Sequence, residues 1–374
     1  MIVPLLLVGA WATFITVFSR HVHPLGVNSI LLTITGFVVA LGLSFRSATA
    51  YERYAEGRRL WGQLTLTCQT LARVIWIHAV EREESVTDDV LGKLTAMNLL
   101  VAFAVALKHK LRFEPYTNYD DLDHLIQHLD TFARSATNDH VYKNKPPNMF
   151  KVVGEHLGIS FATSNPRKVI KRATEPLGNL PLEILCYLSA FIDDLATDGR
   201  LPVPMQQTTA YNALSALNDV LVNTERVLNT PLPIAYAIAI AQITWVYVIL
   251  LPFQLYNTLK WITIPATLAA AYIILGLLFI GREVENPFGN DVNDLPLDLF
   301  CLQIVQDLET ITSKPKPKVA QFVRSENNKV FFPMSESPYT KWAARPEGAI
   351  RNALRNRPYA AYGKPKTTIT RPEV

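Results

Sequence analysis

One stretch of the chain, residues 28–62, sets the tightest limit on what it can fold into. It opens as an uncharged run, Asn28-Ser-Ile-Leu-Leu-Thr-Ile-Thr-Gly36-Phe37-Val-Val-Ala40-Leu41-Gly-Leu-Ser44-Phe45. Without a proline it passes into Arg46-Ser-Ala48-Thr-Ala-Tyr51-Glu52-Arg53-Tyr54-Ala-Glu56-Gly57-Arg58-Arg59-Leu60-Trp61-Gly62. At a rise of about 1.5 Å per residue, about 20 apolar residues cross a bilayer core. A spanning helix that runs on into a charged rod reads as a pore or a signalling stalk, not as a simple anchor.

Three further uncharged runs reach spanning length: residues 2–19, 234–254 and 262–281. Together with 28–45 they predict an all-α membrane protein with four spans. The run 98–107 is shorter and ends at once in Lys108-His109-Lys110, so it reads as a buried helix in a water-soluble region. Run 2–19 lacks the basic n-region of a signal peptide, and Trp11 and Phe14 stand where small cleavage-site residues belong. The expected organisation is 1–48 with the first two spans, 49–233 as a cytosolic helical region, and 234–281 with the last two spans. A post-membrane segment and helix follow over 282–312. The rest, 313–374, holds thirteen Lys/Arg and four Asp/Glu; its +9 exceeds the +4 of the whole chain and leaves −5 elsewhere. This Pro-rich tail lacks periodicity and is expected to be disordered, either merely solvating or available to a partner subunit or to anionic lipid.

Basic residues in short flanking segments orient spans. Arg20 is the one Lys or Arg between the first two runs and Lys260 the one between the last two, whereas Arg46, Arg53, Arg58 and Arg59 follow the second run. Both termini and the middle region are therefore expected to be cytoplasmic, in a plasma membrane. Cys68, Cys186 and Cys301 then lie in a reducing compartment without a Cys-x-x-Cys pair, as packing residues.

The second run has two distinct faces. Phe37, Leu41 and Phe45, four apart, form a bulky stripe; Gly36, Ala40, Ser44 and Ala48 form a stripe of small residues beside it. Small residues at every fourth position let helices approach closely in a membrane. Repeated around an axis, the bulky stripe would make apolar rings that gate by dewetting; on periodicity alone it could equally face lipid. His124 and His128 have the i, i+4 spacing of a metal pair, but no third ligand stands at a recognisable interval, and a solvated helix face is the better reading. Glu52, Glu56, Arg53 and Arg59 are expected to pair between adjacent helices or subunits, and Gln242 to bond a neighbouring helix. Nothing resembles a catalytic Ser/His/Asp set or a phosphate loop, and neither a cofactor nor nucleic-acid binding is expected.

The segment Phe45–Gly62, with Arg46, Tyr51, Glu52, Arg53 and Trp61, resembles the signature after the second helix of the bestrophin family. The likeness is strongest to its bacterial and fungal branch, to which plant thylakoid channels are related. Three more segments agree in order: Thr230-Pro231-Leu-Pro233-Ile-Ala-Tyr236, Glu285-Asn-Pro287-Phe288-Gly289 and Asp294-Leu-Pro-Leu-Asp298. The resemblance implies a homopentamer around one pore that conducts chloride or other small anions. It also implies a neck of three apolar residues, the last standing eight before Arg53, which maps to Phe37, Leu41 and Phe45. Counting back from Tyr236 points to Leu214 as a second, cytosolic aperture, with Leu217 and Leu221 as neighbours. Animal members bind calcium through consecutive acids after the Asn-Pro-Phe-Gly segment. Here Asp291 and Asp294 are separated, too few carboxylates for six to eight oxygen ligands, so no comparable calcium activation is expected. A cation-permeable channel of the same fold and a non-conducting scaffold are the alternatives.

Overall fold

The computed structural model describes residues 1–26, 29–114, 119–135 and 178–355. Residues 1–312 form one compact unit and 313–374 another. Pro146-Pro147 and Asn165-Pro166, dipeptides whose sequence predicts helix breaks, lie outside the described residues. Helices account for all the regular structure among the described residues.

In the first unit, α1 (Ile2–His21) is followed by α2 (Ser29–Arg73), a single helix of 45 residues, about 68 Å long at 1.5 Å per residue. A π-helical turn, Val74–His78, closes it. Next come α3 (Val86–Leu111), two one-turn helices α4 (Asp123–Ile126) and α5 (Phe132–Ser135), then α6 (Leu180–Thr197) and α7 (Pro204–Asn229). The chain then makes a hairpin of α8 (Ile234–Leu259) and α9 (Thr263–Glu283), joined by the 3₁₀ turn Lys260–Ile262, and ends the unit with α10 (Leu297–Thr312).

These helices build two cores along α2. The first, an apolar bundle, packs α1, the N-terminal half of α2, α8 and α9 around Val8, Val39, Leu43, Ile240, Val248 and Leu275. Trp11 Nε1 donates to Ile249 O at 3.0 Å, bracing α8 one turn before Pro252, which lacks an N–H of its own. Outward, this bundle shows Leu6, Phe14, Ile34, Tyr272, Ile273 and Ile280, a surface that lipid or another subunit must cover. The second, polar-side core joins the rest of α2 to α3, α6, α7 and α10 around Trp61, Leu64, Leu100, Phe103, Leu188 and Leu217.

Helix α3 is apolar and long enough to span a bilayer, yet 61% of its most apolar window is buried in protein. Its ends explain why it stays here. Lys93, nearly inaccessible, donates to Ala79 O (2.7 Å) and Glu81 (2.9 Å); Lys108 donates to Asp121 (2.5 Å) and Asp298 (2.8 Å). A soluble core satisfies those ammonium groups and a bilayer would not. The reading of 98–107 as a buried helix agrees with this placement.

Two ion-pair clamps hold the polar side. Asp89, on α3, receives Arg82 at 2.7 Å and Arg200 at 3.1 Å, and Arg200 also pairs with Asp194 and Asp198. Asp298, on α10, receives Arg112 Nη2 and Lys108 Nζ, each at 2.8 Å. Bonds from Arg82 hold the Asp89 carboxyl down at about 2, and Arg112 does the same for Asp298, also at about 2.

In the second unit, the expectation of a disordered tail is corrected over its described part. Residues 313–355 contain α11 (Val319–Val323), α12 (Tyr339–Ala343) and α13 (Glu347–Arg355). Phe331 and Trp342 pack at 4.2 Å between centroids and Arg345 lies 4.0 Å over the Trp342 ring, a local nucleus that composition does not reveal. Two cysteines match the packing expectation: Cys68 and Cys301 are buried, which pushes each thiol up to about 12. Cys186 is exposed instead, because it lies on the outer face of α6.

Two predictions follow from the packing. Both clamp carboxyls sit below the ordinary value of about 3.9. Their contribution is therefore full above pH ~4 and is lost as pH falls toward about 2. Thermal melts of the detergent-solubilised protein should show this acid limb, and D298N should lower Tm at pH 6 while flattening the limb; an unchanged limb in D298N would remove Asp298 from the account. The second concerns Gly57, whose added Cβ would lie 3.0 Å from the fully buried Phe288 ring and 3.2 Å from Leu295. G57A should cost about 1–3 kcal/mol of overpacking, more than the ~1 kcal/mol that alanine gains in a helix. Adding F288L should recover part of the lost Tm.

Candidate functional site

The bulky stripe lies on the outward face of α2. Phe37 is 70% exposed, Leu41 45% and Phe45 57%, while Leu32, Val39, Leu43, Arg46 and Ala50 on the opposite face are buried. Three large apolar groups at helical spacing are thus presented by the subunit to something other than its own core. Two of the three are Phe, whose ring edges carry partial positive charge.

The small-residue stripe behaves differently from a packing face within the subunit. Gly36 does meet α8, since a Cβ there would come within 3.0 Å of the Tyr247 hydroxyl. Ala40, Ser44 and Ala48 are exposed. Within the subunit the contact is made by the larger Leu32, Val39 and Leu43; the small residues adjoin the bulky stripe and stay uncovered.

Below the stripe, the signature residues fasten α2 to its neighbours. Arg46 is buried 3.8 Å from Glu285, whose carboxyl burial drives above its ordinary value. Arg53 Nη2 donates to Val227 O at 2.7 Å, tying α2 to the end of α7 just before the Pro231–Pro233 turn. Glu56 pairs with Arg226 on α7, a contact between helices of the kind expected, and more loosely with Arg59 of its own helix at 3.8 Å. Trp61 is fully buried, whereas Tyr51 is 66% exposed and Glu52 also faces out. Tyr236 is partly exposed at the start of α8.

The turn after α9 closes on itself. Pro287 and Phe288 are buried, Leu295 N donates to Pro287 O at 2.9 Å, and the Asp294 carboxylate accepts from Asp291 N at 2.8 Å. A side chain at Gly289 would collide with that carboxylate. Asp294 is thereby committed to its own backbone, and burial raises its carboxyl above the usual range. No group of three or more His, Cys, Asp or Glu side chains among the described residues is arranged to hold a metal. His124 and His128 are both exposed, and α4 ends before His128, so the pair shares no helix face.

Two expectations need correction. Leu214 is 8% exposed and lies with Leu217 and Leu221 in the polar-side core, so it cannot line an aperture from this position. The helical register that buries Leu214 turns Met205 (73% exposed), Tyr211 and Val222 outward on the same helix. Gln242 is exposed, and among the described residues it makes no hydrogen bond to a neighbouring helix of its own subunit. Sequence reasoning missed the Asp89 and Asp298 clamps; the i, i+4 pair Lys108 and Arg112 at the end of an apolar run was the available signal.

A model of the family described as bacterial/fungal bestrophin protein matches residues 1–310. The voltage-dependent anion channel-forming protein sll1024 of Synechocystis sp. is 33% identical over 282 residues, 75% of this chain and 77% of that protein. A protein of the same description from Nostoc sp., alr2987, is 34% identical over 280 residues, 75% and 76% of the two chains. Among solved structures, a mutant of a bacterial bestrophin homolog from Klebsiella pneumoniae superposes with a TM-score of 0.62 at 25% identity, covering 84% of this chain and 99% of that one. With the membrane-length helices, the outward stripe on α2 and the fastened signature in register, the chain belongs to the bacterial and fungal bestrophin family and is an integral membrane protein.

Proposed function

We propose that the chain is a passive anion channel, a homopentamer whose second helices surround one pore and whose neck is built from Phe37, Leu41 and Phe45. The observation that carries the reading is the outward exposure of these three side chains on a helix whose opposite face is buried throughout the apolar bundle. Relatives that share a third of their residues are named voltage-dependent anion channel-forming proteins. Five copies of the stripe would form three apolar rings, a constriction that conducts when wetted and closes when dry. In the same assembly, the exposed Ala40, Ser44 and Ala48 are suited to close contact between adjacent second helices. Basic residues after α2, against single ones at the far end, support cytoplasmic termini and a cytoplasmic polar-side bundle, and a plasma membrane is part of the same reading. The commitment of Asp294 to its own turn supports opening without calcium.

One observation favours cation permeation through the same fold. Glu52, two turns past Phe45 along the outward face, is exposed and is the first charged group met there; Arg59 follows two turns later at 77% exposure. Which of the two rings dominates sets the sign of the permeant ion.

Recordings in planar bilayers under a salt gradient test both readings. A reversal potential on the chloride side is expected, with currents unchanged by micromolar calcium. The triple Ala variant at 37, 41 and 45 should raise open probability or conductance severalfold, and unchanged currents would sink the neck. E52Q should move the reversal potential further toward the anion value if position 52 faces the ion path.

A further inference from the structure

The end of the apolar bundle remote from the polar-side helices carries positive charge with no carboxylate beside it among the described residues. Between Met1 and Tyr51, and again between Arg226 and Arg282, the sequence contains no Asp or Glu. Arg20, in the last turn of α1, and Lys260, in the turn between α8 and α9, both lie at that end. Neither has a carboxylate partner among the described residues.

The two cations line one cavity of about 160 Å³ with Thr16, Tyr256 and Trp261. Arg20 sits 5.2 Å from the Trp261 ring centroid, and Lys260 Nζ lies 5.0 Å from that of Tyr256. A ring face attracts a cation without accepting the in-plane N–H donors of a guanidinium. The Thr16 hydroxyl already donates to Ala12 O at 2.7 Å, so Arg20 and Lys260 are the charged donors the cavity offers to a ligand, beside the neutral donors of Tyr256 and Trp261. Lys260 is set there by the backbone: its φ of +52° lies in the left-handed region that non-glycine residues rarely adopt. Uncompensated cations beside Tyr and Trp at a helix end match the depth of lipid headgroups. The neighbouring face of α1 exposes Val17 and Phe14, an apolar track suited to an acyl chain.

We propose that this cavity binds a phosphate group, that of a membrane phospholipid headgroup, between Arg20 and Lys260. The fork of Arg20 suits two phosphate oxygens and the ammonium of Lys260 adds a point charge. The site is remote from the neck and needs no ion flow.

Native mass spectrometry of the full-length oligomer, released from detergent after incubation with phosphatidylglycerol, with diacylglycerol or with inorganic phosphate, tests the proposal. Wild-type protein should retain one phosphatidylglycerol per subunit and no diacylglycerol. The R20Q/K260Q variant should lose that lipid while keeping the wild-type oligomer mass in the same spectrum, which shows that it folds. Retention of inorganic phosphate with no lipid would keep the phosphate site and assign it to the soluble ion, overturning the lipid source. Equal lipid retention by wild type and variant, or none of either ligand by wild type, would overturn the site. Channel recordings play no part, so this result stands or falls apart from the conduction reading.

Discussion

A continuous α-helix cannot turn one of its halves relative to the other, and α2 is continuous for 45 residues. Its hydrogen-bond ladder advances about 100° per residue, so the direction in which Phe37 points also fixes that of Phe45, Glu52 and Arg59. Packing clamps one side of this rod along its whole length. Leu32, Val39, Leu43 and Arg46 are covered in the apolar bundle, and Leu60, Trp61, Leu64, Cys68 and Leu71 in the polar-side core. Gly57 stands at the join, where only a hydrogen leaves room for Phe288. The two environments differ in every respect except this register, and the outward stripe is the line that neither core needs.

Rigidity follows from the same facts. Sharp bends in helices arise at proline, at Gly/Ser pairs or at π-turns. In α2 the departure from α geometry comes only at Val74–His78, beyond the helix and far from the neck. Arg53 on Val227 and Arg46 beside Glu285 hold the rod just below the apolar half. Gly36, Gly42 and Ser44 stand at the neck, yet α2 keeps its α geometry through them. In the proposed pore, a change in neck width then comes from side-chain rotation of Phe37, Leu41 and Phe45, from rigid tilting of whole subunits or from bending at that Gly/Ser segment.

Much of this was legible in the sequence, for definite reasons. Four long uncharged runs specify four helices whatever their partners, and a bulky stripe four apart shows which side chains share a face. Lys108 at the end of the run 98–107 rightly marked α3 as a core helix, because the run is too short for a span and ends in charge. What failed depends on tertiary register. Leu214 sits at helical spacing with Leu217 and Leu221, and that spacing signals burial as readily as it signals a pore wall; the structure shows burial. The small-residue stripe had a pattern but no indication of partner, and it turned out to be uncovered within the subunit. The clamps at Asp89 and Asp298 join residues more than a hundred positions apart, Asp89 to Arg200 and Asp298 to Arg112, and the local pair Lys108 and Arg112 does not say which acid it meets. The ordered part of the tail rests on one aromatic pair, Phe331 with Trp342, which Pro-rich, basic composition conceals.

Charge placement along the rod supplies the last physical constraint. All 32 acidic residues fall outside 1–51 and 226–282, so the apolar bundle and its far end carry no negative side chain. In the proposed pore, an ion past the neck meets Glu52 and then Arg59, opposite charges two turns apart on one face. The field along that face changes sign within about 10 Å of helix, at 1.5 Å per residue. No acid stands on the other side of the neck, so the proposed pore presents different fields to ions arriving from its two ends. Rectification is the behaviour expected of such a pore.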